Sequence, residues 1–119
     1  MAVAKRVSSL LVTANLEGAS RIYGGLGFQR VDTGHAGCVG YVAGQTGVIL
    51  VDCEFARRCW GDVAARELAE RLAPYVFLNE AEQGQIDAQL LCDIDAGFGA
   101  REHVLRTALG PIILATLVG

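Results

Sequence analysis

The chain has no run of basic residues longer than two: only Lys5-Arg6 and Arg57-Arg58 occur, within a formal net charge of −3 and a pI near 5.3. Nucleic-acid recognition needs a concentrated cationic surface, so it is not expected as the main function. No apolar stretch approaches the ~18 residues needed to span a bilayer. Residues 112–118, from Ile112 to Val118, form a short apolar run that reads as a buried strand. Ser8 and Ser9 follow Lys5-Arg6 where a secretory signal would continue apolar, so a cytoplasmic location is expected. Cys38, Cys53, Cys59 and Cys92 include no Cys-x-x-Cys pair, and no histidine follows at zinc-finger spacing. They read as buried or incidental thiols, with a Cys53–Cys59 or redox role as the alternative. There is no Gly-x-Ser-x-Gly elbow and no phosphate loop.

What is present is a largely apolar chain of 119 residues, 52% hydrophobic and 19% charged, enough for one folded domain with a real core. The run Val7 to Thr13 is rich in strand-forming residues. Asn15 then offers a side-chain helix cap, and Leu16, Ala19, Ile22 and Tyr23 recur at helical offsets. Gly24-Gly25 is expected to end that helix. Strands are expected at 26–31, 38–43 and 48–52, with turns at 32–34 and 44–47. Residues 53–61 read as irregular, and Asp62 as the cap of a helix over 63–73. That helix would bury Val63, Leu68 and Leu72, pair Arg66 with Glu70, and stop at Pro74. A strand at 75–79, a helix at 80–92 with Ile86, Leu90 and Leu91 inward, and strands at 94–100, 101–109 and 112–118 complete the reading, with Gly110-Pro111 as a turn. The repeated element order suggests an internal duplication.

The block Asn15-Leu-Glu-Gly-Ala-Ser-Arg-Ile-Tyr-Gly-Gly-Leu-Gly-Phe28 resembles the first module of the vicinal oxygen chelate superfamily, which includes glyoxalases, bleomycin-resistance proteins, fosfomycin-resistance proteins and extradiol dioxygenases. Asn15 stands where Asp is usual, and Ile22-Tyr23 where Phe-Tyr is usual. Residues 99–106 followed by Gly110-Pro-Ile-Ile-Leu114 resemble the family's last hairpin. The resemblance implies an α+β fold: two βαβββ modules curl into an incomplete mixed β-barrel, with helices on the convex side and ligand on the concave side. The expected division is a single domain, with module one at about 5–53, a linker with helix at 54–74, and module two at about 75–119. The resemblance further implies a homodimer.

The family's metal-dependent members take ligands from strands of both modules. Register from Asn15 puts Ser8 at the first-strand ligand position, and the others fall near Asp52, at Tyr75-Val76 and at Leu114. Only Asp52 is an ordinary metal donor. No metal and no cofactor are therefore expected, and no residue is assigned a catalytic role. The expected function is small-molecule binding of the bleomycin-resistance kind, by sequestration of an aromatic or cationic organic ligand. The expected ligand-binding residues are Ser8, Leu10, Tyr41, Asp52, Trp60, Phe77 and His103, with Asp52 and Glu54 able to complement a cation. Two alternatives stand beside it. One is a lyase, dioxygenase or thiol transferase with a rearranged metal site using Asp52, Glu102 or His103. The other is a structural module whose cavity is filled by side chains, with Trp60 as linker packing. His35 reads as a solvated turn residue. His103 shares a strand face with Arg101 and Leu105, as a packing histidine or a ligand contact.

Overall fold

The computed structural model describes residues 4–78, 88–95 and 100–117. Within them run β1 (Ala4–Thr13), α1 (Leu16–Gly25), β2 (Gln29–His35), β3 (Cys38–Ala43), β4 (Thr46–Asp52), α2 (Cys53–Leu68), β5 (Leu72–Leu78), β6 (Gln89–Asp95), β7 (Ala100–Thr107) and β8 (Gly110–Leu117). The eight strands make one mixed sheet in the order β2-β3-β4-β1-β5-β8-β7-β6. β1 lies parallel to β4, β5 parallel to β8, and β1 and β5 meet antiparallel at the centre with Ser8 opposite Tyr75. Each half therefore repeats the other's strand arrangement about the β1–β5 seam, which is the duplication the element order suggested. The sheet is not closed, since β2 and β6 are its two edges.

The first half follows the local chemistry of its sequence. The Asn15 side chain accepts from the Gly18 amide at 2.9 Å, so it caps α1. The helix continues through Gly24 and Gly25, and the left-handed residue is Gly27 at φ 92°. That position lets the Phe28 amide reach the Tyr23 carbonyl at 3.1 Å. Leu16, Ala19 and Tyr23 pack on Val39, Tyr41, Val48 and Leu50, whereas Ile22 points to solvent. β2 extends to His35, so the expected turn at 32–34 is strand with a register shift between Asp32 and His35. The expected 44–47 loop tightens to Gly44-Gln45, because Thr46 and Gly47 already pair with β3.

The linker departs most from the sequence reading. α2 begins at Cys53, ten residues before the helix expected at 63, and its cap is Asp52 rather than Asp62: the Asp52 carboxylate accepts from the Glu54 and Phe55 amides at 3.0 and 3.4 Å. Gly61, at φ 85° and ψ 170°, kinks α2 where only glycine is comfortable. α2 ends at Leu68, well before Pro74, which lies inside β5. Val63 and Leu72 are exposed; the buried positions are Ala56, Trp60, Ala64, Ala65 and Leu68. Glu70 does not pair with Arg66. It turns at φ 57° to take the Ala14 amide at 2.9 Å, while its own amide donates to the Val12 carbonyl at 2.7 Å.

The helix expected at 80–92 is corrected where it can be seen: residues 89–92 belong to β6, with Leu90 opposite Leu105. Its residues 80–87 lie outside the described residues, as do 96–99 of the strand expected at 94–100. Gly110-Pro111 opens β8 rather than forming the turn, which falls on Ala108-Leu109.

Strand alternation divides the side chains between two faces. On the α1 face lie Leu11, Val39, Tyr41, Val48 and Leu50. On the other lie Leu10, Val12, Val51, Ala73, Tyr75, Val104, Ile113 and Ala115, and α2 packs on these. The two helices thus sit on opposite faces of the sheet. Leu10, Leu68 and Ile113 are sealed in this contact, each contributing about 1.5–3 kcal/mol of burial.

Candidate functional site

The face carrying α2 is the one opposite α1. α2 crosses one end of this face, packing on Leu10, Val12 and Val51 of module one and on Val104, Ile113 and Ala115 of module two, and leaves the other end open. Under the helix, the Glu102 carboxylate on β7 is 6% exposed. It accepts from Trp60 Nε1 at 3.0 Å and from the Tyr75 hydroxyl on the other oxygen. Burial, followed by the neighbouring Glu102 charge, pushes the Tyr75 phenol up, so it keeps its proton and acts as donor. Arg106, two strand positions on from Val104, donates from Nε to Glu67 of α2 at 2.8 Å and ties down the helix's outer edge.

Toward the β2 side, a trough of about 850 Å³ remains on the same face. Its lining includes Arg6 and Ser8 of β1, Val31 and Thr33 of β2, Gly40 and Val42 of β3, Gly47 and Ile49 of β4, and Phe77 of β5. The register explains its shape. Ser8 is flanked by Gly47 on β4, one step before the Ser9–Val48 pair, and Gly40 is flanked by Val31. Gly40, Gly47 and Ser8 thus form a floor with almost no side-chain height, walled by Val31, Val42, Ile49 and Phe77. The Arg6 guanidinium lies over the Phe77 ring, 4.4 Å from its centroid. The Thr33 and Thr46 hydroxyls are used locally, donating to the Cys38 and Ala43 carbonyls at 2.6 and 2.7 Å.

Of the seven residues expected at a ligand site, Ser8, Tyr41 and Phe77 line this trough. The Tyr41 ring, however, packs on the α1 face against Tyr23, with centroids 6.4 Å apart. Leu10 and Trp60 lie in the core beneath and within α2. Asp52 caps α2. His103 faces the other side of the sheet, with Nε2 3.2 Å from Asp93 Oδ1 and Nδ1 buried without a partner. The trough residues absent from the expected set include Arg6, Gly40, Gly47 and the apolar walls Val31, Val42 and Ile49. A pattern that could have found Arg6 is its spacing of two from Ser8, which puts both on one face of one strand.

The residues do not fit the divalent ion of the family's enzymes. Ser8 and Tyr75, at the two first-strand positions, are cross-strand neighbours but offer a hydroxyl and a phenol held in its protonated form. The Asp52 carboxylate is engaged by two amides, and Leu114 packs on the opposite face. Glu102 already takes two donors, and His103 lies across the sheet from it. Among the described residues, no three His, Cys, Asp or Glu side chains are grouped to hold a metal. All four cysteines are free, and burial raises each thiol above its ordinary value, which keeps them weakly nucleophilic.

An open, curled mixed sheet built from two halves with parallel first and last strands defines the vicinal oxygen chelate fold, and this chain has it. Among solved structures, a glyoxalase/bleomycin resistance protein/dioxygenase superfamily member from Vibrio splendidus 12B01 superposes with a TM-score of 0.57 at 14% identity, over 93% of this chain and 97% of the other. An uncharacterized protein from Methanosarcina mazei superposes with a TM-score of 0.52 at 13% identity, over 99% and 94%. At such identities the likeness is one of fold. No protein-family model and no curated protein sequence matches the chain. Among the described residues, no helix is long and apolar enough to cross a membrane.

Proposed function

We propose that this chain binds and sequesters a small organic molecule in the trough on the α2 face of module one, in the manner of bleomycin-resistance proteins and without a metal. The observation that carries the reading is the Gly40–Gly47–Ser8 floor: three neighbouring strands leave out side-chain bulk on the ligand face while the surrounding strands keep theirs. A trough of about 850 Å³ falls in the size range of small-molecule sites. The test is a set of small aromatic compounds screened by ligand-observed NMR against the wild type and Gly47→Leu, whose side chain would fill the floor. Binding that disappears in the variant, with an unchanged circular dichroism spectrum, supports the reading. Absence of binding by every compound, or binding untouched by the substitution, overturns it.

A second reading, a purely structural module, is favoured by one observation: α2 fills one end of the same face with Trp60, Ala64 and Leu68. The same screen separates the two. A homodimer is also proposed, from the fold likeness, and a sedimentation mass near 12.6 kDa at micromolar concentration would refute it.

A further inference from the structure

We infer that the trough selects planar aromatic ligands bearing a carboxylate, with Arg6 as the anchor for that group; this rests on the trough being the binding site. Among its described lining residues Arg6 is the one charged side chain, and there is no Asp or Glu. A cationic ligand would lose hydration there and gain no counter-charge, whereas an anion meets a guanidinium. No ion pair or hydrogen bond engages Arg6 among the described residues; its close partner is the face of Phe77. A cation–π contact does not use up the guanidinium's N–H donors, whose fork geometry matches a carboxylate.

Ser8 supplies a second donor. Its hydroxyl makes no hydrogen bond among the described residues, and it points to the same face as Arg6, about 7 Å along the strand at two residues' rise. The threonine hydroxyls on the rim are already committed to backbone carbonyls, which leaves Arg6 and Ser8 on β1, with Gln45 at the β3–β4 turn, as the polar side chains open to a ligand. The rest of the lining sets the other half of the ligand. Val31, Val42 and Ile49 are apolar and the glycine floor is flat, so an aromatic ring covers them where a small inorganic anion would leave them wet. The carboxylate would then sit at Arg6 and Ser8, and the ring over Gly40 and Gly47.

The experiment compares three probes of one shape by isothermal titration calorimetry: 2-naphthoate, 2-(aminomethyl)naphthalene and neutral 2-naphthalenemethanol. Each is titrated into the wild type, Arg6→Met and Arg6→Lys. 2-Naphthoate should bind at least about tenfold more tightly than the ammonium probe, the scale of one charge-assisted hydrogen-bond pair. Arg6→Met should abolish that preference while changing the neutral probe by less than about twofold, and Arg6→Lys should keep part of it. Equal binding of all three probes to the wild type, or a preference for 2-naphthoate that survives Arg6→Met, overturns the anion selectivity and leaves the trough reading standing. If none of the three probes binds the wild type, the trough reading falls and this inference falls with it.

Discussion

Replacing Glu102 by leucine removes the acceptor for two donors that have nowhere else to turn. Trp60 Nε1 is 3.0 Å from one carboxylate oxygen, the Tyr75 hydroxyl bonds the other, and both rings are buried between α2 and the sheet. A buried donor left without a partner costs about 1–3 kcal/mol. Two of them put the loss for Glu102→Leu at about 2–6 kcal/mol, less whatever the added apolar contact returns. With a urea m-value of about 1–3 kcal/mol/M, the midpoint of unfolding should fall by roughly 0.7 M or more. Tryptophan fluorescence is a direct reporter, since Trp60 is the single tryptophan and sits at the network. The more searching measurement adds Tyr75→Phe. In the Glu102→Leu background the phenol is already an orphan, so deleting its hydroxyl should cost less than in the wild type, or even stabilise. A coupling of about 1–2 kcal/mol in this double-mutant cycle is expected. Additive effects, or a loss below about 0.5 kcal/mol for Glu102→Leu alone, would refute the network as the clamp on α2.

Asp52→Ala should destabilise the chain by about 1 kcal/mol through loss of the α2 cap, while Asp52→Asn, an equally good cap, should be nearly neutral; thermal melts of the pair check this. Gly61→Ala should lower stability by about 1–3 kcal/mol, because Gly61 sits at φ 85° and ψ 170°, a region closed to alanine; urea unfolding measures it. The hydrogen bond from Arg101, with the nearby His103 adding to it, holds the Asp93 carboxyl below its ordinary value. A depressed folded-state carboxyl contributes stability above its unfolded pKa and loses it as pH falls through the folded value. The acid limb of the stability–pH curve, below pH ~4, should therefore be shallower in Asp93→Asn than in the wild type; identical limbs would refute it.

The first half of the fold was readable because its signals agree. A strand-rich run, an asparagine cap, helical spacing and a Leu-Gly-Phe exit all select the same element order, and β1, α1, β3 and β4 fall close to it. The linker was harder because the buried stripe of α2 is mostly alanine, at 56, 64 and 65, which carries little apolar contrast, and Gly61 interrupts it. Residues 86, 90 and 91 imitate a helical stripe by spacing, yet the cross-strand pairing of Leu90 with Leu105 places residues 89–92 in β6. At the site, Ser8 and Phe77 were legible from register and residue type. Arg6 was not, because what distinguishes it is the absence of acidic neighbours around the trough, which depends on strands far apart in sequence. Trp60 is expected at the ligand site from its residue type and place after β4, but its side chain serves Glu102 in the core rather than the trough.

The placement of α2 also bears on how this protein can change. A symmetric two-module sheet would present two equivalent clefts, each subject to the same packing constraints. Here one end of the face is committed to a helix held by Glu102, and the other carries the open floor of Gly40, Gly47 and Ser8. Substitutions along the trough walls, at Val31 or Val42, touch neither the Trp60–Glu102–Tyr75 network nor the Leu10–Leu68–Ile113 core. If the trough is the binding site proposed above, ligand preference is free to drift at one end of the face while the other end keeps the chain folded, and each chain should titrate with one equivalent of ligand rather than two.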